Sequence, residues 1–125
     1  MNENDIAYTI IGAAIEVHRS LGPGLLESTY HRCLECELSN RSVFFESEVP
    51  LSIEYKGVII TNAYRSDMLV ENKVIVELKT VENINNLHKA QLLTYLRLSN
   101  RKLGLLINFN TCVLKDGISR IVHNL

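Results

Sequence analysis

Apolar residues return every three or four positions near the amino terminus. Ile6, Ile10, Ala13, Ala14 and Val17 fall on one side of a helix. Asn4 or Asp5 is placed to cap it, and Leu21-Gly22-Pro23-Gly24 breaks it. A second helix is expected from about Leu25 to Ser39, with Leu26, Tyr30, Cys33, Leu34 and Leu38 as its inner stripe. Past Asn40 the pattern changes to that of strands. Val43-Phe44-Phe45 runs on through Val49 and Leu51–Tyr55, Lys56-Gly57 turns the chain, and Val58-Ile59-Ile60 starts the return. Arg65–Val70 and Val74–Thr80 read as two further strands joined by Glu71-Asn72-Lys73. After a polar loop at Asn83–Asn86, a third helix spans roughly Leu87 to Asn100. Leu103–Phe109 fits a buried strand. Val113–Val122 reads as a closing hairpin with Asp116-Gly117 at its turn.

Helix, helix, strands, helix, strands is the order of an α/β or α+β sandwich, a mixed central β-sheet flanked by helices. The Leu103 strand is expected to return parallel to the Val74 strand, with the third helix as crossover. No linker, repeat or low-complexity block divides the chain, so one domain is expected over residues 1–125.

One strand breaks the apolar rule. Val74-Ile75-Val76 looks covered on both faces, yet Glu77 and Lys79 follow at once. Side chains alternate along a strand, so Ile75, Glu77 and Lys79 share a face. A carboxylate beside a core is costly unless paired or bound to a metal. A turn centred on Asn72 places Asp67 opposite Glu77 and Arg65 opposite Lys79. Opposed side chains lie about 4.5–5.5 Å apart at Cβ, where two like charges repel. A divalent cation between them turns repulsion into ligation, and oxygen ligands suit Mg²⁺ or Mn²⁺. A turn shifted by one residue would instead send the two carboxylates to opposite faces. Glu-x-Lys alone is equally what an ordinary surface pair looks like.

The bulk properties narrow the context. The formal net charge is -1, which argues against a broadly basic nucleic-acid coat but leaves room for a local basic groove around an acidic metal site. The three cysteines, Cys33, Cys36 and Cys112, suggest reduced thiols and a cytoplasmic setting. No signal peptide or membrane-spanning run is visible. Cys33-Leu34-Glu35-Cys36 is a C-x-x-C, for which Cys112 and His31 are the only further zinc ligands at hand; buried core thiols are the simpler expectation. His18 sits near the Gly-Pro-Gly loop, where a structural role is expected, and His88 and His123 form no pattern.

Three motifs now fall in order. Asp67 followed by Glu77-Leu78-Lys79 resembles the PD-(D/E)xK nuclease superfamily. Gly24-Leu25-Leu26-Glu27-Ser28-Thr29-Tyr30 is similar to the G-x-x-E-x-x-Y of the small GxxExxY proteins grouped with that superfamily. Gln91-Leu92-Leu93-Thr94-Tyr95 reads as the Q-x-x-x-Y of its recombination-exonuclease branch. The resemblance covers about Ile6 to Phe109; Ser66 stands where the superfamily name has proline. It implies a restriction-endonuclease-like core and metal-dependent hydrolysis of nucleic acid, with DNA the expected form. Asp67, Glu77, the Leu78 carbonyl and Glu27 would serve Mg²⁺ or Mn²⁺, Glu27 directly or through water. Lys79 would orient the attacking water and stabilise charge on the phosphate, while Gln91 and Tyr95 would position Lys79 or the phosphate. Arg65, Lys89, Arg97 and Tyr30 would contact nucleic acid. Two other readings stay open: a nuclease-like binding module without catalysis, and a small oligomeric scaffold. A homodimer is compatible with the apolar helical start.

Overall fold

The computed structural model describes residues 1–125. Helix α1 (Glu3–Leu21) is capped by the Asn2 side chain, which accepts from the Asp5 amide, and α2 (Glu27–Asn40) follows. Strands β1 (Phe45–Tyr55), β2 (Val58–Val70) and β3 (Val74–Lys79) come next, then α3 (Asn86–Ser99), β4 (Leu103–Asn108) and β5 (Ile118–Val122). The strands lie in the order β1-β2-β3-β4-β5. Only β3 and β4 are parallel, with α3 as the crossover, as their apolar runs suggest.

Alternation on β3 divides the interior into two layers. Val74, Val76 and Leu78 join α1 and α2 in the larger core. Ile75 points the other way, to Leu92 and Leu96 of α3, with Leu69 and Leu106. Glu77 continues that second face by alternation. Ile6, Ile10, Ala13, Ala14 and Val17 are all buried, as are Tyr30, Leu34 and Leu38 of α2. Leu26 is not part of the α2 stripe: it precedes the helix as its N-cap residue and is 73% exposed.

The strands depart from expectation in two places. The segments Val58–Ile60 and Arg65–Val70 form one long strand, which carries β1 and β2 as a two-stranded arm beyond the sheet. At its tip Tyr55, Val58, Ile59 and Ile60 remain exposed. The closing hairpin within Val113–Val122 does not form. Leu114–Gly117 is a 3-10 turn, and Ile118–Val122 pairs antiparallel with β4. Gly117 serves close packing rather than a hairpin turn: a Cβ there would meet the Asn108 carbonyl oxygen at 2.2 Å. No helix is long and apolar enough to cross a membrane.

Candidate active site

The β2–β3 ladder pairs Met68 with Val76, Leu69 with Ile75 and Val70 with Val74, so the turn is centred on Asn72. The ladder then stops one residue short of Asp67 and Glu77. There the Asp67 carboxylate takes the place of a strand partner: its Oδ2 accepts from the Leu78 amide at 2.8 Å. This bond anchors Asp67 against β3. Arg65 does not come opposite Lys79; β2 has left β3 by then, and Arg65 pairs across with Pro50 of β1 and is exposed.

Glu77 is the anomaly of the site. It is 9% exposed, and its Oε1 is buried without a hydrogen-bond partner. Burial first, and the Asp67 charge second, push its carboxyl up to about 8, against the pull of Lys79. Lys79 follows on the same face, half-buried, with its strand paired to Asn108 of β4.

Glu27 approaches from the other helical layer. Its position is set by the loop before α2. Gly22 and Gly24 take φ of +73° and +101°, a region that side chains disfavour. The Tyr30 hydroxyl ties this loop down, donating to the Gly22 carbonyl at 2.5 Å and accepting from the Leu25 amide at 3.1 Å. The Tyr30 ring stacks on Phe109 at 4.4 Å. Tyr30 is therefore no nucleic-acid contact; it is 0% exposed and braces the loop from which Glu27 starts the helix. Partial burial, then the Asp67 charge, push Glu27 upward, while Lys79 and His31 pull it down.

The third helix contributes Tyr95. Burial raises its hydroxyl, and the charges of Glu77 and Asp67 add to the shift. Its ring stacks on Tyr64 at 4.0 Å, and the Tyr64 hydroxyl donates to the Tyr95 carbonyl at 3.0 Å. Gln91 lies one turn earlier, exposed, with no side-chain hydrogen bond to the carboxylates or Lys79. Lys89 and Arg97 each fall two residues from Gln91 or Tyr95, about 160° round the helix. Both are exposed on a flank away from Tyr95 and are not part of this cluster.

The donor set fits a divalent cation of the Mg²⁺ type. An unpartnered buried carboxylate oxygen beside a second carboxylate is what such an ion satisfies, and Mg²⁺ commonly takes only one or two carboxylates. No three His, Cys, Asp or Glu side chains form a ligating cluster. Glu27 lies close enough to feel the Asp67 charge, but the three carboxylates are not gathered as a ready ligating cluster. Cys33, Cys36 and Cys112 are free thiols, and the C-x-x-C assembles no zinc set with His31. His18 bonds the Thr111 carbonyl at 2.8 Å, a structural contact.

Two residues escaped the sequence patterns. Tyr64 sits in an irregular polar stretch with no period to mark it. Asn108 is buried at the end of an apolar strand, and that mismatch was its visible signal. Its amide accepts from Val81 N–H and donates to the Val81 carbonyl, fixing the chain just after Lys79.

The family model described as the PD-(D/E)XK nuclease superfamily matches residues 4–121. The crystal structure of SSO0001 superposes with a TM-score of 0.52 at 27% identity, covering 78% of this chain. The chain spans about half of that protein, 50% of its length. No curated protein matches. The five-stranded mixed sheet with helices on both faces is a restriction-endonuclease-like α/β fold. With the model matched over nearly its whole length, the chain belongs to the PD-(D/E)XK nuclease superfamily.

Proposed function

We propose that this protein is a metal-dependent nuclease that hydrolyses phosphodiester bonds, with DNA the favoured substrate, and that it groups with the small GxxExxY members of its superfamily. The observation that carries the reading is the Glu77 carboxylate, buried with an unpartnered oxygen beside Asp67 and two residues from Lys79. A core would not retain such a group for stability, since an unpaired buried carboxylate costs free energy. Asp67, Glu77 and the Leu78 carbonyl would hold Mg²⁺ or Mn²⁺. When bound, the ion supplies Lewis-acid polarisation of the phosphate and activation of water.

The chain's own groups supply the rest. Asp67 is held in place by the Leu78 amide, so it keeps its position as substrate arrives. Lys79 offers an ammonium to the phosphate oxygens, where charge builds during in-line attack. Glu27 lies near enough to feel Asp67 and Lys79 and can accept a hydrogen bond from the attacking water. Tyr95 of α3 lies within range of the Glu77 and Asp67 charges, its ring stacked on Tyr64.

The test incubates pure protein with single- and double-stranded DNA and RNA, with and without Mg²⁺ or Mn²⁺. Cleavage should need the metal. Lys79→Ala should slow it about 10²–10³-fold, the usual loss for one charge-stabilising donor. Glu77→Ala should abolish it. A wild type that cuts none of these substrates, or variants that cut as fast, would leave the nuclease-like binding module as the better reading.

A further inference from the structure

The base of the β1–β2 arm meets α3 through a pair of tyrosines, and Tyr64 has no part in the chemistry above. The Tyr64 and Tyr95 rings lie 4.0 Å apart and within 9° of parallel. The Tyr64 hydroxyl donates to the Tyr95 carbonyl at 3.0 Å, and the same carbonyl accepts from the Ser99 hydroxyl at 2.6 Å. The Tyr95 hydroxyl has no hydrogen-bond partner and is not buried, so a solute can reach it. We infer that Tyr64 is a positioning residue for phosphodiester cleavage: it holds the Tyr95 phenol where the phenol donates a hydrogen bond to a phosphate oxygen of the substrate. The inference rests on the nuclease reading above and adds a residue of β2 to it.

Helix geometry sets the direction of the phenol. Side chains on a helix lean toward its start, so the Tyr95 ring runs from its own carbonyl back toward Gln91. The Tyr64 ring is anchored by its tip at that carbonyl. The two phenols therefore run head to tail, with the Tyr95 hydroxyl over the stem of Tyr64. Helix α3 links two parallel strands, so it runs antiparallel to β3, and its start lies at the end of β3 that carries Lys79. Glu77 faces the α3 layer by alternation from Ile75. Tyr95 thus leans toward the end of the sheet that holds the charged residues. Burial and the charges of Glu77 and Asp67 raise its hydroxyl, so it keeps its proton and stays a donor.

Tyr64 supplies the order that Tyr95 lacks alone. A partly exposed side chain on a helix changes rotamer on a picosecond-to-nanosecond scale. With one ring face covered by a neighbour that is itself tied to the main chain, the Tyr95 phenol keeps one direction. That matters because a misplacement of about 1 Å can cost about 10²-fold in rate. Tyr64 lies three residues before Asp67 on β2, so one strand places both the carboxylate and the brace for the phenol.

The first test measures kcat and KM in Mn²⁺ on a DNA that the wild type cuts. Tyr95→Phe should slow kcat about 10²-fold, as loss of one donor to the reacting group does. Tyr64→Leu should slow kcat about tenfold with little change in KM, and Tyr64→Phe, which keeps the stack, should restore most of the rate. The double variant Tyr64→Leu/Tyr95→Phe should be no slower than Tyr95→Phe alone, because Tyr64 acts through the hydroxyl already removed. A wild-type rate in Tyr64→Leu, an effect confined to KM, or losses that multiply in the double variant would overturn the inference.

The second test needs no cutting. The full chain carrying 3-fluorotyrosine is followed by fluorine NMR in EDTA while single-stranded oligothymidylate is added. The Tyr95 resonance, identified by its loss in Tyr95→Phe, should shift in the wild type and shift less than half as far in Tyr64→Leu. A Tyr95 resonance that does not move, or moves equally in both proteins, also overturns the inference. Thermal melts check that each variant folds; if Tyr64→Leu does not, Tyr64→Met takes its place in both tests. The expected shifts without any metal-dependent cutting sink the nuclease reading alone. Metal-dependent cutting with an unmoved Tyr95 resonance sinks the positioning role alone.

Discussion

Glu77 shows how a single residue ties function to stability. In the unfolded chain its carboxyl has an ordinary value of 4.5; in the folded protein burial and Asp67 raise it to about 8. Below pH 4.5 both states are protonated and the residue is nearly neutral in cost. Between those values the unfolded chain ionises while the folded one keeps its proton, so metal-free stability falls as pH rises and levels off above about 8. The loss is on the order of a few kcal/mol across that window. Urea unfolding in EDTA at a series of pH values should show this decline, and Glu77→Gln should flatten it. A Gln variant with the same slope as wild type would mean that another group carries it.

At the scale of elements, the joint between α1 and α2 explains why Gly24, Glu27 and Tyr30 occur together. The glycines allow the turn, Tyr30 locks it, and Glu27 is delivered at the helix start. Tyr30→Phe keeps the stack on Phe109 and removes only the hydroxyl. It should cost about 1–2 kcal/mol, since two backbone groups lose their partner. Hydrogen exchange should quicken at the Leu25–Thr29 amides and stay unchanged at the far end of α2. Uniform acceleration along the helix would show that Tyr30 acts through the core instead.

The elements also mark where the sequence was readable. Periodicity found the three helices and the β3–β4 crossover, because each buries a regular apolar stripe, while the turn centred on Asn72 was one of two registers that the sequence left open. It found the Lys56-Gly57 turn of the β1–β2 arm but not that Val58–Ile60 and Arg65–Val70 are one strand, and it missed the pairing within Val113–Val122. The first half of β2 has little core to impose a period, and the exposed tip offers no inner face. The last strand chose the free edge of β4 over its own neighbour, a contact distant in sequence. Within the site, Asp67, Glu77 and Lys79 were legible as charges in an apolar context. The Tyr64–Tyr95 stack was not, because it joins two elements with no shared pattern. Tyr30 has the place of a ligand contact in its motif but is fully buried, and depth leaves no mark on a single motif residue.

At the scale of the molecule, the candidate site draws on both helical layers and the sheet between them. Glu27 comes from α2, Asp67 from β2, Glu77 and Lys79 from β3, and Tyr95 from α3. None of these pairs is held close once the chain unfolds, apart from the short Glu77–Lys79 segment. A cation that needs Asp67 and Glu77 together therefore binds the native state almost alone, and its affinity becomes stability. At 100 times its dissociation constant, the gain should be about 2.7 kcal/mol. For a chain of this size that corresponds to a rise in Tm of roughly 5–15 °C. Because Glu77 must lose its proton to become a ligand, the rise should be larger at pH 8 than at pH 6. Thermal melts with Mn²⁺ and with EDTA, repeated at both pH values, measure this directly. Asp67→Asn and Glu77→Gln should each lose most of the Mn²⁺ effect while remaining folded. If both variants gain as much as wild type, the ion is binding elsewhere, and the two carboxylates owe their closeness to something other than a metal.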